Sequence, residues 1–304
     1  MDGPRLQSAP AAAWPSGSGK GLQNPLHRFD SGRRLSICAW AVFGRALFAC
    51  LVWVVVFSLF LSPRFCPRGR FARVAAMPEP SFLPESTLDE SCVRLGLQAA
   101  LGERRLLDHP FYRRWLAGGL EHGELAAYAS QYRHFEAMLP GFLGDLAADL
   151  PPGDARDLVR ANLADETANP VPHLELFEGF ATAVGAGWSG MSPATARLVD
   201  CYRSCLDSGP ARALGALAAY EVQSAEVADS KAQGLRSRYG IDREGTAFWE
   251  VHAEVDRRHA DWVVAALAQV AAAGELECAM EGVAESAKAW WEFLDEREAA
   301  RPAA

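Results

Sequence analysis

From Glu85 to the C-terminus, apolar residues recur at three- and four-residue intervals almost without pause, the period of helices that bury one face. The segments LDESCVRLGLQAALGERRLL, GELAAYASQYRHFEAMLPGFLGDLAADL, ATARLVDCYRSCL, ARALGALAAYEVQSAEVADSKAQGL, TAFWEVHAEVDRRHADWVVAALAQVA and GVAESAKAWWEFLDEREAA all carry this period, and no run of alternating β-branched residues interrupts them. Ser192 before Pro193 predicts a capped helix start, and Gly240 after Tyr239 predicts a helix stop. The pattern predicts an all-α fold, one bundle of about seven helices over residues 85–300, with enough chain to bury a sizeable core without disulfides.

The first quarter of the chain reads differently. Residues 1–76 carry ten Lys and Arg against two Asp and Glu, whereas residues 77–304 carry twenty against thirty-six. Residues 1–35, rich in Pro, Gly and Ser, are expected to be a disordered basic segment. Within residues 36–62, the nearly unbroken apolar run at 46–62 is long enough to form one transmembrane helix. Arginines on both sides make orientation a weak inference, favouring a cytoplasmic catalytic domain that is membrane-anchored through residues 46–62. Residues 63–84 read as a linker. Equally compatible is translation starting at Met77, with the preceding stretch translated from GC-rich upstream DNA.

Seven cysteines, an odd number with no CxxC pair, fit a reducing compartment, and Cys201 and Cys205 read as small buried apolar residues. The acidic helical region disfavours a nucleic-acid partner, and no glycine-rich phosphate loop is present.

Chemistry concentrates in two strings. His252, Asp256 and His259 stand at offsets of four and seven, so on a helix they share a face. Imidazole and carboxylate donors without thiolate suit iron or manganese. Glu166 and His173 also stand seven apart, but Pro170 and Pro172 interrupt the helix between them, and a solvated surface pair explains them as well. Glu221 follows so many small apolar residues that its carboxylate is expected to be buried, a costly position unless it is paired or metal-bound. Together these residues make three histidines and three carboxylates, about what two adjacent ions need. His122 and His134 have no partner at ligand spacing.

The strings HPFYRRWLAGGLEHGELAAYASQYRHFEAMLPG, NLADETANPVPH, YEVQSAEVADSKAQGLRSRYG and FWEVHAEVDRRHA, in this order, resemble the TenA/PqqC superfamily with the heme-oxygenase-like fold. Within it they are most similar to the CADD group, the Chlamydia protein associating with death domains and its bacterial relatives. Those are heme-oxygenase-like di-iron oxidases linked to folate metabolism. The resemblance implies that Glu166, His173, Glu221, His252, Asp256 and His259 hold two metal ions, Fe/Fe or Fe/Mn, that use dioxygen and an external reductant. It further implies synthesis of p-aminobenzoate from an internal tyrosine, with Tyr112 as ring source and Lys231 as amino donor, while Tyr128, Tyr132 and Tyr220 relay electrons or cover the site. On residue type alone, these tyrosines and this lysine are equally well structural.

Two other classes stay open. A relative similar to pyrroloquinoline quinone synthase or thiaminase II would bind an organic ligand without metal, and a non-catalytic helical protein would bind a partner. Related bundles are often homodimers, but no interface is legible in the sequence.

Overall fold

The computed structural model describes residues 90–301, apart from 169, 170 and 273 and the side chains of 271 and 272. The expected basic segment, the apolar run at 46–62, the linker and the Met77 start all lie outside these residues. Among the described residues there is no strand, and no helix is long and apolar enough to cross a membrane.

The chain forms α1 (Glu90–Leu101), a 3-10 turn (Leu106–Asp108), α2 (Pro110–Ala117), α3 (His122–Asp149), α4 (Asp154–Ala168) and α5 (His173–Ala183). These are followed by α6 (Pro193–Asp207), α7 (Pro210–Arg238), α8 (Arg243–Ala272) and α9 (Leu276–Ala299). Nine described α-helices therefore replace the expected seven. Periodicity gives little warning of α2, which is only eight residues long, or of α4, a charge-rich helix. It also runs α1 too far, because the helix stops at Gly102, whose φ of +54° suits glycine far better than any residue with a Cβ. The predicted caps form: Ser192 Oγ accepts from the backbone N–H of Thr195 with Pro193 in the first turn, and α7 ends just before Gly240 at φ +66°.

α7 is the central helix. From Ala213 to Glu221 every residue is buried, so it meets neighbours on all sides instead of presenting one apolar stripe. α8 and α9 pack along it, and the small residues allow close approach. A Cβ at Gly215 would strike the Ala279 carbonyl, and one at Gly282 would strike the Arg212 carbonyl. Gly282→Ala is therefore expected to lower stability by about 1–3 kcal/mol, the usual cost of overpacking, despite alanine's better helix propensity. Thermal unfolding checks this; an unchanged or higher melting temperature would mean that α7 and α9 do not touch at this point.

Candidate metal centre

α8 places His252, Asp256 and His259 on its buried face, as their spacing requires; none is more than 4 % exposed. Against this face α4 brings Glu166, α5 brings His173 and α7 brings Glu221, all three buried. Ligand-capable atoms of Glu166, His173 and His252 lie within 4.8 Å of one another, and those of Glu221, Asp256 and His259 do likewise. The two trios adjoin: His259 Nδ1 is 3.9 Å from Glu166 Oε1, 3.8 Å from Glu221 Oε2 and 3.4 Å from Asp256 Oδ1. Pro172 caps the start of α5, so His173 is its first residue and turns inward, with Nδ1 2.9 Å from Glu166 Oε2. The proline break that weakened the pairing of Glu166 and His173 in the sequence is thus what turns the chain and brings them together.

Outer contacts orient the imidazoles. His252 Nδ1 lies 2.8 Å from the Phe248 carbonyl, which can only accept, so this nitrogen carries the proton and Nε2 keeps its lone pair. His259 Nε2 lies 3.2 Å from Asp165 Oδ2, leaving Nδ1 toward the three carboxylates. Asn162 Nδ2 donates to Glu221 Oε1 at 3.0 Å.

The residues fit a pair of cations. His173 Nε2, His259 Nδ1 and both carboxylate oxygens of Asp256 are buried without completing a hydrogen bond, although a buried polar atom ordinarily has a partner. Burial raises the Glu221 carboxyl to about 8. Burial disfavours charge on His259 too, but the nearby carboxylates of Asp256, Glu221 and Glu166 outweigh it and hold the imidazole at about 9. Protons thus offset part of a charge that a metal pair would neutralise.

Beside the trios lies an aromatic chamber around Lys231, which is 2 % exposed. Its Nζ sits 3.9 Å from the Trp249 ring centre, 4.6 Å from Tyr112 and 4.8 Å from Tyr128, and it donates to Tyr128 Oη at 2.6 Å. The Tyr128 and Tyr112 hydroxyls are 2.9 Å apart. Tyr132 stacks on Tyr128 at 5.5 Å and shares a hydroxyl–hydroxyl hydrogen bond with Tyr220, which adjoins Glu221 in the chain. Burial pushes the Lys231 amine well below the usual lysine range, opposed by the charge of Glu136, and pushes the Tyr112 and Tyr128 phenols up.

Sequence reasoning missed Glu136, Asp165 and Asn162. Glu136 is a buried fourth carboxylate, pushed well above the usual carboxylate range by burial and by the charges of Glu166, Asp256 and Glu221. Its offset of four and eight from Tyr132 and Tyr128 was a usable signal. Asp165 and Asn162, flanking Glu166 on a polar helix, gave none.

The chain is similar to known proteins. A family described as an iron-containing redox enzyme matches residues 126–291. The chain is 30% identical over 204 residues to a 4-aminobenzoate synthase of Chlamydia pneumoniae, covering 65% of this chain and 91% of the relative. A 4-aminobenzoate synthase of Nitrosomonas europaea is 30% identical over 218 residues, covering 66% and 88%. Among solved structures, a CADD-like protein of Nostoc punctiforme superposes with a TM-score of 0.57 at 18% identity, over 68% of this chain and 97% of that one, which shows the heme-oxygenase-like fold.

Proposed function

Since this chain belongs to the iron-containing redox enzyme family and is an oxidoreductase of the heme-oxygenase-like fold, we propose that it makes 4-aminobenzoate from its own Tyr112 or a neighbouring phenol, with nitrogen from Lys231. The observation that carries this reading is the hydrogen-bonded line from Lys231 through Tyr128 to Tyr112, buried beside six side chains with ligand-capable atoms.

In this reading Glu166, His173 and His252 hold one ion and Glu221, Asp256 and His259 the other, as an Fe/Fe or Fe/Mn pair. When bound and reduced, such a pair supplies dioxygen activation toward oxidation of a phenol, with electrons from an external reductant. The chain's own residues do the rest. Burial favours the neutral form of the Lys231 amine, the form whose nitrogen has the lone pair an amino donor needs. Tyr128 fixes that nitrogen by hydrogen bonding, and its own hydroxyl meets Tyr112. Phe111, Trp115 and Trp249 wall the chamber and exclude water from the ring to be modified. The stacked Tyr128 and Tyr132 and the bonded Tyr220 join the phenols to the helix that bears Glu221. A chain that gives up its own side chains reacts once.

The metal-free organic-ligand reading gains nothing from the orphaned donor atoms, which call for cations.

The test is a single turnover of the full chain carrying ring-labelled tyrosine, loaded anaerobically with Fe(II) and then given oxygen and reductant. Labelled 4-aminobenzoate, at most one per chain and with a matching mass loss from the protein, is expected. Metal-loaded protein that consumes oxygen yet releases no labelled product would overturn the self-consuming reading and leave an oxidase of a diffusing substrate.

A further inference from the structure

A cleft of about 660 Å³ opens between the α2 region, α7 and α8, and both Tyr112 and Glu221 stand on its wall. Its wall therefore includes one residue from each part of the site, Tyr112 at the end of the lysine–tyrosine line and Glu221 of the second trio, both buried. The cleft is roomier than dioxygen requires, and its wall mixes charge with apolar surface, as small-molecule sites do.

The charges on that wall divide into two groups. Arg113 pairs with Asp108, Glu226 with Arg105, and Asp261 with Arg94. Arg257 on α8 and Asp229 on α7 are exposed and have no ion-pair partner among the described residues. One unpaired guanidinium and one unpaired carboxylate, on different helices lining the same cleft, suit a small molecule that carries a carboxylate and an amine.

We propose that this cleft is a binding and exit site for a small aromatic amino-carboxylate, with Arg257 taking its carboxylate and Asp229 accepting from its amine. A guanidinium presents paired donors that match a carboxylate. The inference rests on the reading that 4-aminobenzoate is the product: a ring cut from Tyr112 or its neighbours has to leave, and this cleft has Tyr112 on its wall. No covalent step is involved.

The experiment is titration of the metal-free full chain, which cannot turn over, with 4-aminobenzoate and with 4-aminobenzamide, followed calorimetrically. Parent protein is expected to bind the carboxylate saturably. Arg257→Ala should weaken it about tenfold or more, the effect of losing a charge-assisted hydrogen bond, and leave the weak binding of the neutral amide unchanged. Ala225→Phe, which fills the cleft from α7, should abolish binding of both; melting curves show whether each variant is folded. Absence of saturable binding to the parent, equal affinity in Arg257→Ala, or full binding by folded Ala225→Phe each overturns the proposal. The labelled single turnover separates the two readings. Product formation without cleft binding defeats this inference alone, whereas Arg257-dependent binding by a chain that makes no product defeats the self-consuming synthesis alone.

Discussion

His252→Ala is expected to take the chain from about two bound metal ions to about one, and to abolish oxygen consumption. The Glu166, His173 and His252 trio loses a third of its donors, while Glu221, Asp256 and His259 stay complete. Dioxygen chemistry that needs two adjacent metals then fails even though one remains. Asp165→Ala sets the scale for comparison. Asp165 is not in either trio but holds His259 through Nε2 at 3.2 Å, so its loss should weaken metal binding by about 10–100-fold without changing the stoichiometry at saturation. Metal content by mass spectrometry after anaerobic loading, across a range of Fe(II) concentrations, checks both. Two tightly bound ions in His252→Ala would show that the trios are not the ligand sets.

Lys231→Met should abolish 4-aminobenzoate formation while leaving metal stoichiometry unchanged, because Lys231 stands outside both trios. It should also stabilise the protein at neutral pH, by about 1–3 kcal/mol, the mutational cost of a buried polar group poorly compensated by its surroundings. The sign follows from linkage. Burial lowers the folded-state value of this amine, so below the ordinary lysine value of about 10.4 the unfolded chain binds the extra proton. Parent stability therefore rises with pH across the window between the folded and unfolded values. Methionine has no such dependence, so its advantage is greatest near neutrality and shrinks as pH approaches the unfolded lysine value. Melting temperatures of both proteins between pH 7 and about 10.5 test this, with metal absent to keep the trios out of the comparison. A variant that yields product at the parent level would remove Lys231 as nitrogen donor, and one that melts lower at neutral pH would show that the amine is well compensated. The two outcomes are independent.

The helical class, most helix positions and the stripe of His252, Asp256 and His259 are legible along the chain, because a 3.6-residue period fixes azimuth along one helix. It also made Glu221 conspicuous, since a carboxylate after a run of small apolar residues has no solvent to turn to. The resemblance joined Glu166, His173, Tyr112 and Lys231 to these. Periodicity could not do so, because it says nothing about which helices meet. Only the packing of the helices shows that the Pro172 turn delivers His173 to Glu166, that Asp165 engages His259 Nε2, and that Glu136 adds a fourth buried carboxylate. The packing also encloses Lys231 in aromatic rings from α2, α3 and α8, and puts Arg257, next to Asp256 in the chain, on a cleft wall. Neighbouring residues on a helix point about 100° apart. Which of those directions meets solvent, a ring or a second carboxylate is set by the helices packed around it, and these come from parts of the chain far apart in sequence.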